Sequence, residues 1–511
     1  MLGLIGSLAR RASRALRPSP GAGPDVAAFG RALAWLERHS APGAGVQVSD
    51  VQRRPYPEVT GYLIPTLLEW GERERALDCA RWLASIQRPD GSWPDPDGRA
   101  GYAFDTGQVL RGLVAALPGD PELREPLRRG CEWLAAQVDG SGRIAAPEGS
   151  HWVLPDGSSV PEAIHLHVFD PLKRAAAEFG RDAWAGAAAR AEAHYLARPD
   201  LTAFATLSHF HAYILEALLD LGHFDRVAEG LAEIERLQRP DGAVPARPGA
   251  RWVCSTGLAQ YAALWYRLGR RAPGDRAFAR LLRLQRGSGG FRGSRGRGAD
   301  YFPREEIGWA VKYFLDALHW RIRSSFEAGV AGFPATIVAE DGRFRLIEEQ
   351  ILAARPGVLL DAGCGRGRFV ALLKERHPGL RAMGLDLSEA MLRHLPPGVE
   401  PRRGSLLRTG LADASVDLAF CVESLEHAVN LPGAIRELAR VVRSPGTLVI
   451  VDKDAARRGA LALEPWEQWF EAREVEGLLR AQGFAVEVRR GVGHDGSDGS
   501  DGLFLGWVAR R

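Results

Sequence analysis

The sequence of 511 residues has little cysteine and little lysine, and the shortage of cysteine excludes several kinds of site. Five cysteines, with no Cys-x-x-Cys pair, exclude a disulfide framework and a zinc site built on thiolates. Lysine accounts for only four of the 66 basic residues, and the rest are arginines. The chain also lacks the run of about 18 apolar residues that a membrane-spanning helix needs. We therefore expect a cytoplasmic protein.

The charges of the chain nearly cancel, because 66 Lys and Arg stand against 63 Asp and Glu. A net charge of +3 gives no field that would gather polyanions, so the composition does not favour a nucleic acid as partner. The length corresponds to two to four domains of roughly 150 residues each. Any activity must then depend on local sites, and we expect a small molecule or a glycan-linked or lipid-linked compound as substrate.

Residues 1–24 form a basic leader in which an apolar stretch, Leu2 to Leu8, precedes the arginines between Arg10 and Arg17. A secretory signal has the opposite order, with the basic residues first. We therefore predict a frayed, flexible leader. The alternative is that the leader makes peripheral contact with an anionic membrane surface.

A repeated pattern runs through residues 25–323. Gln87 at a helix end is followed by a Pro-Asp-Gly turn, and the same sequence recurs after Gln238. A second, more apolar helix follows each turn, and six such units occur at a spacing of about fifty residues. One helix pair cannot bury its apolar stripe alone, so the pattern predicts an all-α (α/α)6 toroid with the second helices on the inside.

The stretch Trp82…Gln87…Asp90-Gly91-Ser92-Trp93 resembles the repeats of the prenyltransferase and squalene-cyclase superfamily of α/α toroids. The resemblance covers about the first 320 residues and implies a fold, not an activity. Class II terpene cyclases of that group use an Asp-x-Asp-Asp acid, whereas this chain has no two adjacent aspartates. Similar toroids also serve carbohydrate-active enzymes and lanthionine cyclases, so the function of this domain stays open.

Polar residues recur where the predicted inner helices begin, which makes these helix starts a candidate substrate pocket. Because residues i and i+2 point to different sides of a helix, at most one histidine of each His-x-His pair should face a cavity, and capping or core hydrogen bonds are the alternative for the others. The residues concerned are Asp105, Thr106, Gln108, His165, His167, His209, His211, Ser255, Thr256, Glu305 and Glu306.

Residues 324–342 form a linker, after which residues 343–511 alternate between strands and helices and predict an α/β, Rossmann-like domain. A buried strand ends at Asp361, and Gly363, Gly365 and Gly367 follow it at the start of a helix. Such a turn lets the backbone approach a ligand closely. A second strand ends in Asp386, whose carboxylate is suited to accept hydrogen bonds from ribose hydroxyls.

These segments resemble class I S-adenosylmethionine-dependent methyltransferases, with Gly384-Leu385-Asp386-Leu387-Ser388 as the ribose-binding motif. The resemblance covers nearly all of residues 343–511. It implies that Asp361 and the three glycines face the methionine part of S-adenosyl-L-methionine and that Asp386 binds its ribose. Val422 is expected to line the cofactor site. Many relatives have Gly-Asp after the third strand where this chain has Gly404-Ser405, so either Ser405 or a backbone group contacts the adenine.

His427 and Glu423 are the candidate catalytic residues, because they follow the fourth strand above the predicted cofactor. The spacing Glu423-x-x-Glu426-His427 also resembles the Glu-x-x-Glu-His arrangement of ubiquinone-pathway and small-RNA O-methyltransferases, in which these groups and another histidine bind a divalent metal. His494 is the candidate fourth ligand. The alternative is that Glu426 and His427 brace the local structure without a metal. Trp466-Glu467-Gln468-Trp469 is either an acceptor contact or a docking patch.

The sequence thus predicts a two-domain methyltransferase that O-methylates a bulky acceptor, a glycan or glycolipid intermediate, with help from the toroid. An isoprenoid or terpenoid acceptor is the second hypothesis, because of the resemblance of the repeats. A third hypothesis makes the toroid a non-catalytic scaffold that binds another protein.

Overall fold

The protein forms two compact units in a computed structural model. The helical unit comprises Arg31–Leu68 and Glu72–Arg321, and the α/β unit comprises Met1–Gly30, Glu69–Gly71 and Ile322–Arg511. Within the described ranges, no helix combines the length and the apolar content that a membrane span requires. Most of the predicted leader lies outside the described residues, which are 22–40, 43–95, 98, 100–144, 160–459, 461–493 and 502–511.

Helices follow one another in pairs from residue 24 to residue 328. The six pairs are α1 (Pro24–Arg38) and α2 (Pro57–Glu69), α3 (Arg73–Ser85) and α4 (Ala103–Ala116), α5 (Arg124–Ala136) and α6 (Phe169–Phe179), α7 (Asp182–Leu196) and α8 (Ser208–Asp220), α9 (Phe224–Leu237) and α10 (Ser255–Arg267), and α11 (Arg271–Leu284) and α12 (Gly308–Ala328). A 3-10 segment, Glu162–Val168, precedes α6. Two short antiparallel strands, β1 (Val253–Cys254) and β2 (Ser294–Arg295), accompany the fifth and sixth pairs.

Burial distinguishes the two helices of a pair. In α10 every residue from Ser255 to Tyr266 is buried, whereas the buried residues of α9 form a single stripe of Val227, Gly230, Leu231 and Ile234. An apolar stripe on one side is the mark of a helix with one face in water. In this pair the second helix is therefore the more buried one, and we call the second helices of the six pairs the inner helices.

The inner helices contact one another in a cyclic sequence within the helical unit. The contacts are side chain to side chain or, at Gly61, backbone to backbone. They lead from α2 to α4, to the 3-10 segment before α6, to α8, α10 and α12, and from α12 back to α2. They join Gly61 to Gln108, Gln108 to His167, His167 to Tyr213, His209 to Gln260, Arg267 to Trp320, and Asp316 to Thr66.

The α/β unit is built on a seven-stranded sheet with the order β5-β4-β3-β6-β7-β9-β8. β9 is antiparallel to both of its neighbours, and the other neighbouring pairs are parallel. The strands are β3 (Val358–Ala362), β4 (Arg381–Asp386), β5 (Val399–Arg403), β6 (Val416–Val422), β7 (Val442–Lys453), β8 (Ala485–Val492) and β9 (Phe504–Arg510). The helices are α13 (Gly342–Ala354), α14 (Arg368–Arg376), α15 (Glu389–Leu392), α16 (Leu431–Val441) and α17 (Ala472–Ala481).

The sheet explains where a ligand site can form. β6 is buried along its whole length, as expected for a central parallel strand covered on both faces. The strand order reverses between β3 and β6, so the carboxyl ends of these strands border a crevice. The Rossmann-like architecture predicted for this part of the chain is confirmed.

The expected linker, residues 324–342, begins inside a helix. α12 continues to Ala328, and a 3-10 turn at Val330–Gly332 follows. Ser324 to Ala328 contain neither glycine nor proline, so nothing in the local sequence ends the helix before Gly329.

Gly61 tests the packing of the inner helices, because a Cβ atom there would lie 2.6 Å from the carbonyl oxygen of Gln108. We expect Gly61→Ala to destabilise the protein by about 1–3 kcal/mol through overpacking. Gly186→Ala in α7 is the matched control, since its Cβ would meet only the end of Arg190 at 3.8 Å. Thermal unfolding followed by circular dichroism measures both. A Gly61→Ala protein that melts at or above the wild-type temperature would contradict this packing.

Candidate active site

A glycine turn joins β3 to α14 and shapes the crevice. Gly363, Gly365 and Gly367 have φ angles of 78°, 53° and 80°, which glycine adopts without strain. The backbone N–H groups of Gly363 and Cys364 donate to the carbonyl oxygen of Leu385 at 2.8 and 2.9 Å, which ties the turn to β4. A Cβ on Gly365 would meet nothing within 4 Å. The turn is therefore held from behind and open at its middle glycine.

Asp361 and Asp386 lie beside this turn at the carboxyl ends of β3 and β4. Burial and the nearby Asp386 raise the pKa of Asp361 to about 8, and one of its oxygens, Oδ2, has no hydrogen-bond partner among the described residues. Burial also raises the pKa of Asp386 to about 6, although its oxygens accept hydrogen bonds from the N–H groups of Gly365 and Ser388, both at 2.9 Å. Each carboxyl group would gain from a positively charged or hydroxyl-bearing ligand.

S-adenosyl-L-methionine fits this arrangement. Its methionine end is cationic, and the unpartnered oxygen of Asp361 at the open turn offers the matching negative charge. Asp386 at the end of β4 offers acceptors for ribose hydroxyls. These residues, with Gly363 and Gly365, would hold the cofactor.

Ser405 and Val422, the other two predicted cofactor contacts, lie at neighbouring strand ends. The Ser405 hydroxyl accepts hydrogen bonds from the N–H groups of Leu407 and Arg408, at 3.2 and 3.1 Å, and so closes a turn. The preceding Gly404 donates its N–H to the carbonyl oxygen of Asp386 at 3.0 Å. Val422 is buried and ends β6. An adenine contact by Ser405 remains a prediction.

Two residues at the end of α12 belong to the site and were missed in the sequence because they lie in the expected linker. The Glu327 carboxylate accepts from the N–H groups of Glu389 and Ala390, at 3.0 and 3.1 Å, at the start of α15 directly after the Asp386 strand. The Phe326 ring meets the His427 ring edge to face, with centroids 5.0 Å apart. Neither residue has a local motif that would mark it.

Glu423 is held by arginines. Its Oε1 accepts hydrogen bonds from Arg343, which is fully buried, and from Arg368 at 2.7 Å. Its backbone has a φ of 49°, a left-handed conformation that is strained for a residue with a side chain. Glu423 therefore has the contacts of an anchor for the loop after β6, and its catalytic role remains a prediction.

Glu426 forms a buried ion pair with Lys453. Its two carboxylate oxygens accept from Nζ of Lys453 at 2.6 and 2.7 Å, and its own N–H donates to Asp452 at 3.1 Å. Burial raises the pKa of Glu426 to about 7 even though Lys453 acts to lower it. The ammonium group of Lys453 thus lies against the carboxylate that the metal hypothesis assigned to a divalent ion.

His427 lies between two carboxyl groups. Nε2 is 3.5 Å from Glu426 and Nδ1 is 3.6 Å from Glu467, and Nδ1 has no hydrogen-bond partner among the described residues. Burial lowers the pKa of His427 to about 4, against the opposing influence of Glu467. The imidazole is therefore neutral near pH 7 and can accept a proton, and the adjacent carboxyl groups would stabilise the imidazolium that results.

The predicted metal ligands are brought together only in part. Among the described residues, the group with the spacing of metal ligands is Glu426, His427 and Glu467, whose ligand atoms lie within 4.8 Å of one another. Glu423 is not a member of this group, and His494 lies outside the described residues. Glu467 belongs to the stretch Trp466–Trp469, which sequence analysis marked for its position, and both of those tryptophans are buried.

The pKa of Asp361 leads to a prediction for cofactor affinity. The carboxyl group is protonated below about pH 8 in the free protein, and a bound cation favours its ionised form, so affinity should increase as pH rises. We expect the Kd for S-adenosylmethionine to fall roughly three- to tenfold between about pH 6.5 and pH 8.5. Calorimetry measures it. In Asp361→Asn, any remaining pH dependence of the Kd comes from groups other than Asp361, such as those of the ligand. If the Kd of that variant depends on pH as steeply as that of the wild type, Asp361 is not the group responsible.

Comparisons with known proteins identify a methyltransferase domain in this chain. The family whose model matches residues 360–450 is described as a methyltransferase domain. The malonyl-[acyl-carrier protein] O-methyltransferase of Methylococcus capsulatus is 32% identical over 213 residues, which are 37% of this chain and 76% of that protein. Three further curated relatives are covered over 62%, 55% and 49% of their own length.

Solved structures give fold-level likenesses. The 1,6-didemethyltoxoflavin N1-methyltransferase of Burkholderia thailandensis, with bound S-adenosylhomocysteine, is 24% identical, has a TM-score of 0.29 and covers 38% of this chain and 87% of its own. An unsaturated glucuronyl hydrolase specific for heparin is 15% identical, has a TM-score of 0.45 and covers 58% of this chain and 96% of its own. The Methylococcus capsulatus enzyme, at 32% identity, is more similar in sequence to this chain than either of these two structures is. Through its α/β unit, the chain belongs to the S-adenosylmethionine-dependent methyltransferases.

Proposed function

We propose that the protein transfers the methyl group to an oxygen atom of a bulky acceptor and that His427 accepts the proton which this oxygen loses. S-adenosylmethionine, when bound, supplies an electrophilic methyl group on a sulfonium. A hydroxyl oxygen is a weak nucleophile until its proton is removed, so a neutral base must lie beside it. The observation that carries the proposal is the neutral His427 ring, whose Nδ1 has no hydrogen-bond partner among the described residues and faces Glu467 at 3.6 Å.

Two carboxyl groups lie on opposite sides of the His427 ring. Glu467, whose pKa is raised by burial and by Glu426, lies on the Nδ1 side. Glu426 lies on the Nε2 side and is neutralised by Lys453. When His427 gains a proton, the carboxyl group of Glu467 favours the resulting positive charge, whereas the Lys453 ammonium opposes it. Phe326 packs against the ring and restricts its orientation.

The acceptor that we propose is a glycan or glycolipid intermediate, bound in part by the helical unit, which we take to be an (α/α)6 toroid. Support comes from the inner helix starts, where the buried side chains include polar ones such as Glu58, Asp105 and His209. An isoprenoid acceptor would require a more apolar surface, so it is the weaker candidate. A scaffold without a ligand is disfavoured by the polar character of the same helix starts.

A divalent metal is not part of the proposal, since the Lys453 ammonium already lies on both oxygens of Glu426. The positive charge that a metal would supply at this place is thus present in the chain. Glu426, His427 and Glu467 would be the ligands if a metal did bind, and Lys453 would then have to leave Glu426.

Replacing the proposed base should separate catalysis from cofactor binding. We expect His427→Ala to lower kcat by roughly 10²- to 10⁴-fold, the range typical of general bases, with little change in the Kd for S-adenosylmethionine. His394→Ala, at an exposed histidine of the same unit, is the control. Methyl transfer is measured with isotope-labelled cofactor and extracts of producing cells, with product identification by mass spectrometry.

Retention of full activity by His427→Ala would refute the proposed base. Such a result would favour an acceptor that is already ionised, such as a carboxylate. A relative named for malonyl-[acyl-carrier protein] makes that the natural second acceptor to assay.

Treatment with a chelator tests whether Lys453, and not a divalent metal, neutralises Glu426. Because its ammonium neutralises Glu426, we expect methyl transfer to survive exhaustive treatment with EDTA within about twofold and to be unaffected by added Mg²⁺ or Mn²⁺. Lys453→Met should lower activity strongly, because Glu426 would lose its buried partner. Loss of activity on chelation that Mg²⁺ restores would instead assign Glu426, His427 and Glu467 to a metal.

A further inference from the structure

A second group of buried carboxyls lies in the helical unit, where the inner helices α2 and α4 begin. Asp105 is fully buried, and neither of its carboxylate oxygens has a hydrogen-bond partner among the described residues. Glu58 accepts a long hydrogen bond, 3.5 Å, from the Tyr213 hydroxyl. Glu58 and Asp95 both act electrostatically on Asp105. Acidic groups thus gather at a place where the chain leaves buried oxygens unsatisfied, an arrangement that calls for a ligand or another explanation.

Within the described part of the chain, no positive charge acts on this group. Among the described residues, the charges that act on Asp105 are carboxylates, and Glu58 is influenced by burial and by two tyrosine hydroxyls. Burial therefore raises the pKa of Glu58 to about 7 and that of Asp105 well above its ordinary value. Without a cation, protons hold these groups neutral. A ligand that brings a positive charge would replace those protons.

Aromatic rings surround the same place. The Tyr213 ring lies 5.1 Å from Phe104, 5.0 Å from His167, 4.4 Å from His209 and 6.1 Å from Tyr313, measured between centroids. Rings that meet carboxyl groups form the usual surroundings of organic ammonium ions, because the negative ring faces add to the carboxylate attraction. The ring cluster comes from four inner elements, so it is a property of the tertiary structure.

The unit contains an example of the interaction. Nζ of Lys312 lies 3.7 Å from the centroid of Tyr313 and 5.1 Å from that of Tyr62, and it forms an ion pair with Asp316 at 2.6 Å. One ammonium of the chain therefore already pairs with a carboxylate and rests on tyrosine rings. Glu58 and Asp105 have the carboxylates and the rings, but no ammonium of the described chain acts on them.

A metal ion is a poorer match. Among the described residues, ligand atoms lie within 4.8 Å of one another in the group Glu426, His427 and Glu467 of the α/β unit, but not at Glu58, Asp95 and Asp105. An organic ammonium carries its charge on a larger volume and can interact with carboxyl groups that do not converge on one point. Glu58 and Tyr56 retain exposures of 5% and 8%, so solvent reaches the edge of the group.

We propose that the helical unit binds an organic amine, as a protonated or quaternary ammonium group, between the carboxyl groups of Glu58 and Asp105 and the ring of Tyr213. The ligand class is an amine-bearing compound, of which an amino sugar would also satisfy the proposed acceptor. This inference rests on the proposed function only in assigning acceptor binding to the helical unit. The binding itself requires neither cofactor nor methyl transfer.

The test compares charged ligands with neutral ones of the same shape. Choline and its uncharged isostere 3,3-dimethyl-1-butanol form one pair, and glucosamine and glucose form the other. Calorimetry and thermal shift are recorded on the full chain without S-adenosylmethionine. We expect the amine of at least one pair to bind ten or more times tighter than its neutral partner. Binding near pH 6.5 should release protons, because Glu58 and Asp105, which face Tyr56, Tyr213 and Asp95, ionise on contact with the cation.

Variants locate the site. Glu58→Gln and Asp105→Asn should each weaken amine binding at least tenfold and diminish the proton release. Asp225→Asn, at an exposed carboxylate near the start of the outer helix α9, is the matched control and should bind as the wild type does. Thermal melting confirms that each variant is folded. If Asp105→Asn does not fold, the test of the site rests on amine binding by Glu58→Gln and on proton release by the wild type.

Two results would overturn the proposal: equal binding of amine and neutral isostere in both pairs, including no binding of either, or amine binding that both Glu58→Gln and Asp105→Asn leave unchanged. Failure of the proposed base is distinguishable from these results. It would appear as wild-type methyl transfer by His427→Ala, and the amine titration of that variant would still match that of the wild type.

Discussion

Burying carboxyl groups costs free energy, and both units depend on how that cost is met. In the α/β unit, Glu426 is buried against Lys453, whereas Asp361 has an oxygen with no partner among the described residues. In the helical unit, Asp105 has no partner for either oxygen within the same ranges. For Glu426 the chain itself supplies the neutralising charge. Where the described residues supply none, a buried carboxyl with a raised pKa marks a place at which a ligand can bring that charge.

The glycine turn after β3 was predictable from the sequence because the residues that shape it are contiguous. Asp361 and the glycines that follow it lie within seven residues, and the strand ending in Asp386 is the next one in the chain. Local spacing sets the geometry of such a turn. The Rossmann-like fold followed from the same stretches, since buried apolar strands alternate with helices.

Other parts of the site depend on tertiary proximity, which no spacing rule conveys. Glu327 lies 62 residues before Glu389, whose N–H it accepts, and looked like linker sequence. Lys453 meets Glu426 only because β6 and β7 are neighbours in the sheet. Glu423 matched a family spacing, yet its carboxylate is paired with Arg343 and Arg368. In the helical unit, the histidine pairs stood out, while Glu58 carried no local pattern.

The α/β unit is discontinuous along the chain, and this has a consequence for biosynthesis. Its first described residues already belong to it: the N–H of Gly23 donates to the carbonyl oxygen of Glu467 at 2.8 Å, and that of Asp25 to Pro465 at 2.9 Å. A ribosome delivers Gly23 long before Glu467 exists, so this early segment must wait while the whole helical unit emerges and folds. Completion of the α/β unit therefore comes late in synthesis, and a fragment that starts at Ile322 would lack the segment that carries Gly23 and Asp25.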